Sequence, residues 1–120
     1  MLTYPLSDLI DRISIVKLKT ERTDEEECRK ELAYLMEHLP EYNFPEAEEY
    51  INKLHEVNGK IWHLEADIRK GKDAELGLEE IGRRTLKIRG FNKIRVGFKN
   101  EIVDKTKTGF KDIKVNHASI

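Results

Sequence analysis

Three polar residues near the carboxyl end of the chain, Asn92, Arg95 and Lys99, are spaced so that they could act together on an anion. Spacings of three and four place them on one face of a helix. At about 100° per residue, that face also carries Ile88 and Ile102, so the polar stripe lies inside an apolar face. Two positive charges cannot be buried there without partners. We therefore expect either a paired network or a polar pocket.

A second group of polar residues lies in the segment NGKIWHLEADIR, residues 58–69. Asn58 and Glu65 fall within the edge of a helical apolar arc, and Trp62 and Arg69 lie just beside them. Together with the first stripe and one lysine of an earlier helix, they are the predicted walls of an interhelical pocket. The eight candidate residues, which combine cationic, amide, acidic and aromatic groups, are Lys17, Asn58, Trp62, Glu65, Arg69, Asn92, Arg95 and Lys99.

Two interpretations of these eight side chains stay open. In the first they form a buried salt-bridge and amide network that fixes the register of the helices. In the second they line a pocket, whose excess of basic groups would favour phosphate or carboxylate. Trp62 would then supply a flat apolar wall.

Each buried cation needs a carboxylate partner under either interpretation. Glu65 is the expected partner of Arg95. Glu21 or Asp11, both in the first predicted helix, would serve Lys99 or the arginine that ends the third.

The elements that position these residues follow from apolar periodicity. Helices are predicted over residues 7–22, 24–39, 46–70 and 76–107, with a short extended tail at 108–120. The third contains a heptad seam formed by Ala47, Tyr50, Leu54, Val57, Ile61, Leu64 and Ile68. The pattern predicts one all-α domain, an antiparallel bundle dominated by two long helices in a coiled-coil-like hairpin.

Several residues refine this arrangement. The first helix is apolar on two sides, which predicts that it is sandwiched, and Ser7 is its expected N-cap. Thr23 is expected to open a capping box for the second helix. Gly90 and Gly97 are one heptad apart on the side away from the core. They are either tolerated weak positions of the helix or places where another backbone, such as that of a second subunit, approaches closely. We expect a homo-oligomer, most simply a dimer.

Composition excludes several classes of protein. The 120 residues carry a net charge of −1, which gives no general support for binding nucleic acid. No apolar run approaches the roughly 20 residues of a membrane span, and the lone Cys28 suits a reducing compartment, so we expect a cytoplasmic protein. His63 and Asp67 point away from the apolar face and have no further converging ligands, so no metal site is predicted.

The segments LIDRISIVKLKTER and NGKIWHLEADIR, with the N-x-x-R-x-x-x-K pattern at residues 92–99, resemble the domain-of-unknown-function families 6165 and 4254. These are small uncharacterised bacterial and phage proteins, and the first family is closer in length. The resemblance implies an all-helical fold without an established activity, and some members occur near glycan-building genes. Ala66 stands where the pattern often has a second acidic residue. The matching positions are Asp11, Lys17 (or Lys19), Asn58, Trp62, Glu65, Asp67, Arg69, Asn92, Arg95 and Lys99.

Two functions follow as hypotheses. The first is a non-catalytic helical interaction or small-anion-binding protein that uses no cofactor. The second is an enzyme on a phosphorylated sugar or nucleotide, in which Glu65 is the base and Arg95 and Lys99 hold the phosphate. The second requires these three residues to converge on a cavity open to solvent.

Overall fold

The computed structural model of the chain describes residues 4–71 and 73–107, without the side chains of residues 69, 73 and 74. Four α-helices pack against each other: α1 (Leu6–Arg22), α2 (Glu26–His38), α3 (Ala47–Arg69) and α4 (Asp73–Thr106). None of the described residues lies in a strand. The all-α prediction is therefore confirmed for this part of the chain, whereas the predicted extended tail at 108–120 lies outside the described residues.

The predicted N-cap residues of α1 and α2, Ser7 and Thr23, are wrong. Ser7 is buried within α1, which begins directly after Pro5 and has no side-chain cap. Proline suits this place because its fixed φ matches the entry to a helix and its missing N–H would be unpaired anyway. The Thr23 hydroxyl donates to the Lys19 carbonyl at 2.8 Å, so it binds the end of α1 and does not cap α2.

Proline and glycine interrupt the later helices close to the predicted positions. After α2, the chain forms a 3-10 helix (Leu39–Tyr42) that contains Pro40. Gly71 follows α3 with a φ of 76°, and its N–H donates to the Ile68 carbonyl at 3.0 Å. Gly77 has a φ of 78° inside α4, which side chains with a Cβ rarely adopt, and it kinks the helix.

The core is built around α1, which contacts all three other helices. This central place confirms the prediction of a sandwiched first helix, because a helix with two apolar sides needs partners on both. The α1 side chains of the main cluster come from one of its two apolar sides, and α2, α3 and α4 complete the cluster. On the opposite side of α1, Leu18 is also buried, whereas Ile15 is half-buried. The cluster includes Leu6, Leu9, Ile10, Ile13, Val16, Leu35, Tyr50, Ile51, Leu54 and Ile102.

Burial changes along the heptad seam of α3. Ala47, Tyr50, Leu54 and Val57 are buried, whereas the three later seam residues are only half-buried. We call α1 with residues 47–58 of α3 and 95–106 of α4 the buried half of the molecule. Residues 59–69 of α3 and 78–94 of α4 form the open half.

Contacts between α3 and α4 join the beginning of one helix to the end of the other. Lys105 Nζ lies 2.5 Å from Glu46 Oε2, directly before α3. At the other end, Arg84 Nη1 lies 3.5 Å from Asp67 Oδ2. These pairs place residues 92–99 of α4 beside the N-terminal half of α3 and beside α1, where the candidate site lies.

Candidate functional site

A two-pronged polar contact joins α4 to α1. Arg95 donates from Nε to Asp11 Oδ1 at 3.0 Å and from Nη2 to Asp11 Oδ2 at 2.5 Å. This two-pronged geometry is the one in which a guanidinium binds a carboxylate most strongly. Asp11 is only 5% exposed. A carboxylate so deeply buried requires a partner of this kind, because an unpaired charge there would cost several kcal/mol, on the order of 3–5.

The same carboxylate is linked to α3 through an amide and a hydroxyl. Asn58 Nδ2 donates to Ser14 Oγ at 2.9 Å and lies 3.4 Å from Asp11 Oδ1. The Ser14 hydroxyl in turn donates to the Asp11 carbonyl at 2.6 Å. All three residues are buried. Asp11, Ser14, Asn58 and Arg95 thus form one polar network that connects α1, α3 and α4.

Lys99 lies one turn beyond Arg95 and pairs with a different carboxylate. Its Nζ is 3.1 Å from Asp8 Oδ1, and the two side chains are 14% and 49% exposed. The lysine is therefore largely covered while its partner faces water. This pair extends the polar network toward the surface at the N-terminal end of α1.

The network is satisfied within the described part of the chain. No buried side-chain nitrogen or oxygen atom among those residues lacks a hydrogen-bond partner. Paired charges of this kind fix which turn of one helix faces which turn of another, since a shift by one turn would leave Asp11 and Arg95 unpaired.

The eight predicted residues are only partly brought together. Asn58, Arg95 and Lys99 lie in the network or directly beside it. Trp62 and Glu65 are half-buried, one and two turns further along α3. The remaining three are separate: Lys17 and Asn92 are half-buried and their side chains bond no described residue, and the side chain of Arg69 lies outside the described part.

The carboxylates that complete the site came from α1, where sequence reasoning was least specific. Asp11 was predicted to serve another cation and instead binds Arg95, the residue for which Glu65 was the expected partner. Asp8 and Ser14 were not predicted at all. Their signal was present, because polar residues at 8, 11 and 14 follow one another at spacings of three on a helix rich in apolar residues.

A separate groove of about 900 Å³ lies where the end of α1 meets α3 and α4. Its walls are mainly apolar, and its rim carries basic and histidine side chains. The side chains of seven of the eight predicted site residues are described, and none of these seven lines the groove. The lining residues are Leu18, Arg22, His55, Glu56, Gly59, Lys60, His63, Leu64, Lys87, Gly90, Phe91 and Ile94.

Two histidines that line this groove differ in their surroundings. His55 Nε2 lies 2.5 Å from Glu21 Oε1, and His63 is exposed. Within residues 4–71 and 73–107, no three histidine, cysteine or carboxylate side chains converge as metal ligands would.

None of the described helices is both long enough and apolar enough to cross a membrane.

Comparisons of the chain with protein-family models, curated proteins and solved structures found no match. The resemblance to the two domain-of-unknown-function families therefore stays a prediction.

Proposed function

We propose that this chain is a non-catalytic helical interaction protein, in which the polar network sets the register of α1 against α3 and α4. The observation that carries the proposal is the pairing of Arg95 with Asp11. The Asp11 carboxylate offsets the charge of the Arg95 guanidinium and occupies two of its five N–H donors, which weakens its attraction for a phosphate. We further propose that α3 and α4 form a coiled-coil-like antiparallel hairpin and that the chain acts as a homo-oligomer.

Two further features support this proposal over an enzyme on phosphorylated sugars or nucleotides. Such an enzyme would direct Arg95 and Lys99 into an open cavity. Instead, both cations pair with carboxylates of α1, and neither lines the groove. The groove has mainly apolar walls, a chemistry that suits contact with another apolar surface.

The one cysteine, Cys28, is free, which supports placing the protein in the cytoplasm.

A thermal-shift screen tests the proposal. The chain is heated with inorganic phosphate, sugar phosphates, nucleotides and divalent metals, and the screen is repeated on Arg95→Met. We expect none of these compounds to change the Tm of the parent. We expect Arg95→Met alone to lower the Tm by roughly 10–20 °C, because Asp11 is left as a buried charge without its partner.

Arg29→Met is the matched control, because Arg29 on α2 forms exposed ion pairs with Glu26 and with Asp24, which precedes the helix. Its Tm should fall by no more than a few degrees, since exposed pairs contribute under about 1 kcal/mol. A phosphate compound that raises the parent Tm and has no effect on Arg95→Met would contradict the proposal and favour a ligand site. An Arg95→Met variant as stable as the parent would remove the structural role of the network.

A further inference from the structure

The groove where the end of α1 meets α3 and α4 has the size and the walls of a small-molecule site. Its volume of about 900 Å³ lies within the range of roughly 300–1,000 Å³ that ligand pockets occupy. Leu18, Leu64, Phe91 and Ile94 form its apolar walls. Ile94 is 47% exposed, and a ligand that covered it would remove apolar surface from water.

Two glycines open the groove between its walls. Gly59 on α3 and Gly90 on α4 both line it. A Cβ at Gly90 would have no neighbouring atom within 4 Å, and a Cβ at Gly59 would meet only Leu18 Cδ1, at 3.9 Å. The missing side chains therefore leave space that a bound molecule can occupy.

The rim of the groove is basic, although the chain as a whole has a net charge of −1. Its lining includes three cations, Arg22, Lys60 and Lys87, and one carboxylate, Glu56. Lys60 Nζ lies 3.5 Å from Glu56 Oε1, so these two charges offset each other. Arg22 and Lys87 are exposed, and neither forms an ion pair within the described part of the chain. Positive charge without a carboxylate partner thus lies beside apolar walls.

Two contacts show how polar groups meet these walls. Lys60 Nζ lies 5.5 Å from the centroid of the Phe91 ring, so a rim amine extends over an apolar wall. On the side of α1, the nearby carboxylate of Glu21 lies 2.5 Å from His55 Nε2, which engages it away from Arg22 and Lys87. Charged head group and apolar chain could therefore bind side by side.

A ligand that matches both features joins an apolar chain to an anionic head group. The chain would cover the walls, and the head group would pair with the cations of the rim. A sugar phosphate would instead place hydroxyl groups against walls that offer them no hydrogen-bond partner. A chain with a cationic head group would be repelled by the rim.

Other occupants match the charge of the groove less well. A twofold contact through the groove would bring Arg22 and Lys87 of one copy toward the same cations of a second copy. Residues 108–120 contain two lysines and one aspartate, so they supply no excess of acidic side chains. Charge thus favours a small anion over both a second copy and this segment.

We propose that the groove binds a free long-chain carboxylate, with its chain against Leu64, Phe91 and Ile94 and its carboxylate at the cations Arg22 and Lys87. This inference goes beyond the proposed function, because a network that sets helix register needs no ligand. A homo-oligomer would use a different surface of the chain.

Isothermal titration calorimetry of the full chain with laurate, kept below its critical micelle concentration, measures this binding. We expect a single saturable site in the micromolar range. Acetate, which lacks the chain, should show no saturable binding. Dodecyltrimethylammonium has a chain of the same length on a cationic head group and should bind at least about tenfold more weakly. Laurate that fails to bind, or that binds no better than the cation, would overturn the proposal.

Leucine at Gly90 tests whether laurate occupies the groove. Gly90→Leu should weaken laurate binding by about tenfold or more, since the new side chain takes the space of the ligand. Gly97→Leu is the matched control, because Gly97 also has open space on α4 but does not line the groove. Both changes favour the helix equally. An equal effect of the two on laurate binding would overturn the proposed place of the ligand.

Charge reversal tests the rim. Arg22→Glu combined with Lys87→Glu should weaken laurate binding by about tenfold or more and strengthen the binding of dodecyltrimethylammonium. Loss of fold would weaken both ligands, so the exchange of preference is specific to the rim. Lys93→Glu is the control, because Lys93 is exposed on α4 and does not line the groove. Unchanged laurate binding in the double variant would overturn the role of the cations.

Two further measurements test the other occupants. Sedimentation velocity over a concentration series should give the same oligomeric state for the parent and Gly90→Leu. An oligomer that only Gly90→Leu disperses would assign the groove to a second copy and overturn the proposal. Binding to phosphatidylserine vesicles without binding of free laurate would assign it to a membrane surface and also overturn it. None of these results alters the ligand screen on Arg95→Met, which tests the proposed function separately.

Discussion

The two halves of the molecule use the same heptad seam in different ways. In the buried half, α1 covers α3, and Tyr50 and Leu54 are almost fully enclosed. In the open half, Ile61 and Leu64 continue the seam but are only half-buried, and Leu86 on α4 faces solvent. The difference shows that a periodic apolar stripe determines where a helix can be covered, whereas the neighbouring helices determine how much of it is covered.

Helix length explains where the change occurs. α1 has 17 residues and α3 has 23, about 26 Å and 35 Å at 1.5 Å per residue. The shorter helix cannot cover the whole of the longer one. The Asp11 pair with Arg95 fixes α1 against the C-terminal half of α4, so the uncovered length falls at the other end.

The largest expected difference between the halves comes from leucine truncation. Leu54→Ala should lower the free energy of unfolding by about 3–4 kcal/mol, because it removes a fully buried side chain and leaves a cavity. Leu86→Ala should change it by less than about 0.5 kcal/mol in the monomer. Urea denaturation at low protein concentration measures both. Similar losses for the two variants would mean that the halves are not distinct.

A smaller difference in the free energy of unfolding is expected between the two carboxylates of α1 that pair with α4. Asp11→Ala should cost about 2–4 kcal/mol, since Arg95 and Asn58 then lose a buried acceptor. The matched control is Asp8→Ala, whose carboxylate is half exposed and should cost under about 1 kcal/mol. Urea denaturation also checks this comparison. If both changes cost the same, the network would have no special role in fixing α1.

The smallest expected effect concerns pH and the contact of α1 with α2. The hydrogen bonds from Arg12, at 2.7 and 2.9 Å, lower the pKa of the Glu31 carboxyl below its ordinary value of 4.5. A lowered pKa contributes stability above that ordinary value, and the contribution is lost as the pH falls through the folded-state pKa. Both side chains are 36% exposed, which limits the contribution to under about 1 kcal/mol.

Comparing the parent with Glu31→Gln in urea at several pH values tests this expectation. The free-energy difference between the two proteins should be present at neutral pH and should shrink as the pH falls below about 4.5. A difference that stays constant down to the lowest pH would show that the Arg12 pair does not couple α1 to α2.

Much of the fold could be predicted from particular residues. The two-sided apolar pattern of α1 predicted its central place, and Pro40 and Gly71 marked helix ends that the structure also contains. The candidate site was less predictable. Projection of α4 identified Arg95 and Lys99 as inward-facing cations. It assigned Glu65 to Arg95 and did not find Asp8, the partner of Lys99, because the pairing depends on how α1 crosses α4.

The sequence by itself determined the helices and their apolar faces. It also determined that the two cations of the α4 stripe, Arg95 and Lys99, require carboxylate partners. These properties depend on spacing along one chain and on the cost of burying an unpaired charge. Only the tertiary structure decided that Arg95 pairs with Asp11 and that Asn58 donates a hydrogen bond to Ser14. It also decided that the C-terminal end of α3 is only half-buried. Those outcomes depend on the relative length and placement of helices far apart in sequence, which no local pattern contains.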